Sequence, residues 1–460
     1  MSNALEVHQW AVDNFGRCAL GDLRRNTRAV IVAEQMIRCP EGSTPRQTEV
    51  WAECKALYRL VNRPEVTHAH LSLPHWERTR RQARGTVLLI GDTTGTDFGI
   101  HRQIEGLGPT GDGDGRGYML HSSLMVDPHT RGVLGLAGQE LFYRKPAPKG
   151  ENSYQTRQRE RESEVWGRVI DLVGPAVAEA RYIHVFDAGA DNLEVYCHLQ
   201  QQRVGWVVRA AQFHRTVSDA ERDQTKSCSL EARVAQQPCL GTYTLAVTAG
   251  KKRTARTATL EVRTCQVTLK RPKRATTYLK SLNFRQLTQW VVEAREVDPP
   301  RGEEPIHWIL YTSEAVPTFE AAWTVLDYYE MRWIVEDWHK AIKTACELES
   351  RQYMTSHALE ALAAFTSIIA VRLVQMRTLA VEAPETPAGK VVPGPWLRML
   401  RRLRNRPIIT IRDFIRQLAG LGGFLCRKGD GTPGWITLWH GMERLLLCLR
   451  GAAAILPRCG

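Results

Sequence analysis

Three acidic side chains stand where they could hold divalent metal ions. The run TVLLIGDTT, rich in β-branched residues and bounded by glycine, reads as a buried strand with Asp92 at its end. RYIHVFD reads as a second strand ending at Asp187, and Glu336 lies in a long helical segment. Ligand sites in α/β sheets favour the carboxyl ends of strands. A carboxylate there is costly to desolvate unless a cation balances it. Mg²⁺ does so with one or two carboxylates, keeps waters and accepts phosphate oxygens. Two such ions can clamp the attacking and leaving oxygens of a phosphoryl transfer. Taken singly, each aspartate also reads as a turn former or helix cap. Asp187, like Asp191, is placed to cap the helix that follows.

The helix around Glu336 adds a second pattern. At about 100° per residue, Tyr329, Arg332, Glu336 and Lys343 fall within an arc of roughly 60°. A tyrosine, two cations and an acid on one stripe are unusual for a core face. They suit a surface that holds metal and phosphate. Trp333 and Lys340 fall near the same stripe, and Arg332 with Glu336 also reads as an ordinary i, i+4 pair.

The elements that must position these groups are legible in outline. GDLRRNTRAVIVAEQMIR predicts a helix capped by Asp22, with Arg24, Arg25 and Arg28 on its first turns. A second helix, Glu49 to Val61, carries Arg59. The Gly-rich stretch 106–117 reads as a surface loop, and 118–144 as two strands joined by a turn at Asp127–Gly132. A helix over 163–180, the strand ending at Asp187, a helix from ADNLEVYCHLQQQ and the strand VGWVVRAA follow. Together these predict a mixed sheet with crossover helices. Residues 215–310 read as a β-strand insertion with a basic rim at 251–256 and 270–274. Helix returns at 317–348 and 357–378, then a Pro-containing linker at 380–396 and a helical tail from 397.

The 460 residues predict two to four domains. Lys plus Arg is 62 and Asp plus Glu 49, so the net charge is +13, which suggests a polyanionic partner such as nucleic acid. The 11 cysteines are scattered, without metal-ligand spacing, and read as reduced thiols of a cytosolic protein. No stretch reads as a membrane helix of roughly 20 apolar residues, and the N-terminus does not read as a secretory signal.

At this point a resemblance enters. The run YYEMRWIVEDWHKAIKTA resembles the Tyr-Arg-Glu-Lys signature of the DDE transposases of bacterial insertion sequences, fourth family. ALGDLRRNTR resembles that family's N-terminal DNA-binding helix, IGDTT and FDAGAD its two catalytic strands, and PPRGEEPIHWILYTSE the return from its insertion. LGGFLCRKGDGTPGWITLWHGMERL resembles its C-terminal segment.

The resemblance implies an α/β fold: an RNase H-like mixed-sheet catalytic core with an all-β insertion, flanked by helical N- and C-terminal domains. The boundaries expected are 1–75 for DNA binding, 76–378 for the core with its insertion at about 215–310, and 379–460 for dimerisation. Asp92, Asp187 and Glu336 would form the DDE triad and hold two Mg²⁺ or Mn²⁺ ions. Arg332 and Lys343 would contact phosphate with Lys340 beside them, Tyr329 would be the signature tyrosine, Trp308 would hold a flipped base, and Arg209 would lie near the reacting end. Arg24, Arg25, Arg28, Arg59 and the basic rim would bind transposon ends. The implied activity is cut-and-paste transposition through a hairpin, in the bacterial cytoplasm in association with the nucleoid. Its partners would be double-stranded DNA, both end and target, and a second copy of the chain in a synaptic complex, with no membrane. A metal-dependent nuclease of the same fold that cuts without joining, and a non-catalytic DNA-binding derivative, are the alternatives. The sequence departs from the family at Ala188, where an arginine usually follows the second aspartate.

Overall fold

The computed structural model describes residues 2–48, 50–99, 104–111, 115–145, 148, 150–152, 155, 161–219, 227–247, 254–427, 430–431 and 433–455. Five helices open the chain: α1 (Ser2–Phe15), α2 (Leu23–Arg38), α3 (Thr44–Thr48), α4 (Trp51–Val61) and α5 (His68–Gln82). Strands β1 (Gly85–Asp97), β2 (Gly108–Thr110), β3 (Gly115–Asp127) and β4 (Gly132–Phe142) follow, then α6 (Glu164–Val173), β5 (Ala180–Phe186), α7 (Leu193–Gln202) and β6 (Gly205–Arg209). The next stretch holds β7 (Thr216–Asp219), β8 (Ser227–Ser229), α8 (Leu230–Ala235), β9 (Gly241–Val247), β10 (Arg256–Lys270), α9 (Thr277–Ser281), β11 (Gln286–Val297) and β12 (His307–Thr312). Helices close the chain: α10 (Phe319–Glu330), α11 (Ile334–Lys340), α12 (Ser356–Glu382), α13 (Ala388–Val391), α14 (Gly394–Arg404), α15 (Ile411–Leu421) and α16 (Trp435–Ile455).

The chain divides into two compact units. One comprises Met1–Gln82, Thr93–Lys145 and Ile334–Gly460. Its centre is α12, which is long and apolar enough to cross a membrane by length and composition. The expectation that no such stretch exists is therefore corrected; 83% of its most apolar window is buried within the protein. Phe365 stacks on Phe15 with ring centroids 4.9 Å apart. The Trp338 indole donates to the Ser367 carbonyl at 3.2 Å. β3 and β4 pair antiparallel, as predicted. The expected loop over 106–117 is in part strand, because Gly108–Thr110 pairs with Gly115–Gly117. A side chain at Gly117 would put its Cβ 1.7 Å from the Thr96 carbonyl oxygen, so glycine marks close strand approach here and not loop freedom.

Both ends of the chain belong to this unit. Thr44 and Tyr353 share a hydrogen bond of 2.6 Å between hydroxyls. Arg351, 3% exposed, donates to the carbonyls of Pro40, Gly42 and Cys346. The expected linker at 380–396 contains α13 and the first turn of α14, whose Trp396 indole donates to the Glu41 carboxylate at 3.2 Å.

The other unit comprises Ala83–Asp92 and Pro146–Trp333. β5 pairs in parallel with both β1 and β6. β12 pairs antiparallel with β6 on one side and with β11 on the other. β11 continues to β10, which carries β9 and β7. The inserted strands thus run on from the parallel ones through β12, with two short helices among them. α6 stops at Gly174, whose φ of +74° precedes Pro175, so the helix is shorter than the expected 163–180.

Gly91 fits one tight place in this unit. A Cβ there would lie 2.4 Å from the Phe186 ring and 3.3 Å from Trp166. Gly91→Ala should therefore lose about 1–3 kcal/mol of stability through overpacking, read as a lower urea midpoint at unchanged slope.

His75 is buried between two partners. Its Nδ1 donates to the Asn14 amide oxygen at 2.7 Å, and its Nε2 accepts from the Leu136 N–H at 3.1 Å. Burial lowers its pKa to about 3, from 6.5 when unfolded. The native state holds this imidazole neutral, so its stability is present above the unfolded pKa and is lost as pH falls toward the folded one. Denaturant titrations between pH 7 and 4 should show stability falling by up to ~1.4 kcal/mol per pH unit for this group. His75→Gln should flatten that slope.

Candidate active site and nucleic-acid interface

The site is built first from strand register. β1 and β5 pair in parallel up to Ile90 opposite Val185. Asp92 comes two residues after Ile90 on β1, and Asp187 two residues after Val185, just past the end of β5, so both acids follow the last paired positions of neighbouring parallel strands. Asp92 does not end its strand as expected, since β1 runs on to Asp97 through the threonines at 93, 94 and 96. Asp187 follows β5 directly and caps the 3₁₀ turn Ala188–Ala190, accepting from the Gly189 N–H at 2.8 Å. It is thus both a strand-end acid and a cap, and its other carboxylate oxygen does not take part in the cap. Asp191 is engaged elsewhere, bound by Arg215 and by the Tyr196 hydroxyl.

Four more of the nominated residues lie in the same unit. Arg332, 8% exposed, approaches Asp92 with 3.7 Å between Nη1 and Oδ2. Its guanidinium lies 4.7 Å from the Trp333 ring centroid. Tyr329 is buried, and desolvation raises its phenol above the usual value, opposed by Arg209 and Arg332, with Arg209 also hydrogen-bonded to it. Asp187 acts on the same phenol, raising it further. Trp308, on β12, meets Tyr329 edge-on with centroids 5.6 Å apart. Asp92, Asp187, Arg209, Trp308, Tyr329 and Arg332 therefore form one connected set, a tyrosine and two cations beside two acids. Trp333, 58% exposed against Arg332, falls near the stripe by helical periodicity, which gives it no role there.

Glu336, Lys340 and Lys343 belong to the other unit. Glu336 is half-buried in α11, and Lys340 ends that helix exposed. Lys343 sits in a π-helical turn, Ala341–Ala345, 3.4 Å from Glu349. Residues 331–333 form a 3₁₀ turn. The uniform rotation that aligned 329, 332, 336 and 343 therefore does not hold, since a 3₁₀ turn winds at about 3 residues and a π turn interrupts the α ladder. Among the described residues of either unit, no three His, Cys, Asp or Glu side chains are grouped to hold a metal.

The basic residues near the N-terminus divide by partner. Arg24 and Arg59 are exposed. Arg25 donates to the Leu20 carbonyl at 2.8 Å, and Arg28 is bound by Glu53, so both hold the fold. In the basic rim, Arg271, Lys273 and Arg274 are exposed. Arg256 is instead gripped by Glu296 and Glu303 at 2.8 and 2.5 Å, and 251–253 lie outside the described residues.

Two comparisons with known families bear on this arrangement. Residues 7–66 match the family model for transposase DNA-binding, and residues 368–456 match that for the transposase Tn5 dimerisation domain. The first match covers α2 to α4 and the second covers α13 to α16. With these two segments at its ends, the chain is supported as a transposase similar to the Tn5 type.

Proposed function

We propose that the chain is a cut-and-paste DNA transposase that cleaves transposon ends through a hairpin and joins the freed 3′-hydroxyl to target DNA. The observation that carries this reading is the parallel pairing of the two strands that lead to Asp92 and Asp187, with Arg332 against Asp92. An all-oxygen pair of carboxylates is the donor chemistry that Mg²⁺ or Mn²⁺ takes. Asp92, Asp187 and Glu336 are the proposed holders, and bound ions would supply charge stabilisation at the attacking and leaving oxygens.

The chain's own residues have separate tasks in this scheme. Arg332 balances the acids before DNA arrives and then offers its guanidinium to the scissile phosphate. Tyr329, protonated because it is buried, donates a hydrogen bond while Arg209 holds its ring in place. Trp308 presents an aromatic face on which an unstacked base can rest, which a sharply bent DNA end needs. Lys340 and Lys343 add cationic contacts, and Arg24 and Arg59 bind the duplex away from the reacting phosphate. The core is read as RNase H-like, and two copies would pair two ends.

Asp92→Ala, Asp187→Ala and Glu336→Ala should each lower Mg²⁺-dependent cleavage of an end-bearing duplex by roughly 10³-fold or more, with DNA binding retained. Trp308→Ala should spare the first nick and lower hairpin formation by about 10-fold or more, one stacked base being worth about 1–3 kcal/mol. Cleavage unchanged in Glu336→Ala overturns the site assignment. A wild-type protein that cuts but cannot join a pre-cut end would be a nuclease instead.

A further inference from the structure

Helix α14 presents a face that neither the fold nor the proposed reaction uses. Residues 394–412 contain six arginines and no aspartate or glutamate. The helix buries Trp396, Leu397 and Leu400, and the Trp396 bond to Glu41 fixes its rotation. Two of its arginines serve the fold: Arg401 donates to the Ile408 carbonyl at 2.6 Å and Arg404 to the Gln417 side chain at 3.2 Å. Arg398, Arg402 and Arg406 are exposed and enter no hydrogen bond or ion pair among the described residues. Arg398 and Arg402 are one turn apart, about 6 Å along the axis. Asn405, at φ +45°, ends the helix and leads the chain to Arg406.

Cations this close together repel, and among the described residues none of the three is paired with an acid. A partner with closely spaced negative charges relieves that repulsion and releases counterions. A second copy of the chain fits less well, because a two-fold interface brings the same patch of both copies together and would set arginine against arginine. We infer that the exposed arginine face of α14 is a contact for the phosphate backbone of duplex DNA, without sequence preference and additional to the N-terminal helices. This gives the segment similar to a dimerisation domain a second task. It rests on the transposase reading only in that DNA is the polyanion.

The test uses the full-length protein and its triple variant R398Q/R402Q/R406Q. Binding to a random-sequence duplex is measured by fluorescence anisotropy over a salt series, with mass by light scattering and unfolding temperature followed in parallel. The variant should bind about 10–100-fold more weakly at low salt, and its log–log salt slope should be smaller by roughly 2–3, at unchanged mass and unfolding temperature. Equal affinity and slope in the two proteins would overturn the inference while leaving the transposase reading intact. So would a loss of affinity that follows a loss of mass. A parent protein that binds no duplex at all would remove both.

Discussion

The parallel register of β1 and β5 is the constraint on which the site depends. It brings the strand segments leading to Asp92 and Asp187 side by side, and a slip of one residue would turn the approach to one acid to the opposite face of the sheet. Carboxylates brought toward one another repel. Nothing in strand packing repays that cost. Arg332 offsets part of it by lying against Asp92, and the Gly189 N–H offsets part of it at Asp187. The register in turn is held by apolar pairs such as Leu88 with Ile183 and Ile90 with Val185. Gly91 lets the strands close up, since the Phe186 ring occupies the space a side chain would take.

This hierarchy explains why parts of the site were legible from sequence and others were not. β1 and β5 announce themselves as short apolar runs, so the two aspartates were found with their strands. α2 carries its own start signal in Asp22, which accepts from the Arg24 N–H at 2.8 Å. Such features are local, and local chemistry decides them. The stripe on the helix around Glu336 depended on a constant rotation per residue. The 3₁₀ turn at 331–333 and the π turn at 341–345 come from tertiary fit, which no periodicity reports. The contacts among Trp308, Tyr329 and Arg209 are of the same kind: each residue lies on a different element, and only the pairing of β12 with β6 brings Trp308 and Arg209 into one region.

Glycine and proline misled for a related reason. Both punctuate loops in the usual case. In 106–117 the glycines allow backbones to approach, as Gly117 does beside the Thr96 carbonyl. In 380–396 the prolines open a helix, as Pro395 does in the first turn of α14. Composition identifies these residue types, but their role follows from what lies opposite, which is a property of the folded chain.

The same distinction governs the charge. A net charge of +13 says that a polyanion is welcome without saying where. Arg28, Arg256 and Arg351 have their charge or donors committed to Glu53, to Glu296 and Glu303, and to backbone carbonyls. They are cations of the fold, and removing Arg256 or Arg351 would leave buried partners unsatisfied. Arg59, Arg398 and Arg402 are exposed and have no such duty of packing, and exposed Arg24 reaches only Asp22, at 3.5 Å. An exposed, unpaired arginine adds almost nothing to stability, while a cation that meets a phosphate contributes to binding through counterion release. The structure therefore sorts one chemical type into two populations, and only the exposed population can be substituted to probe binding without also probing the fold.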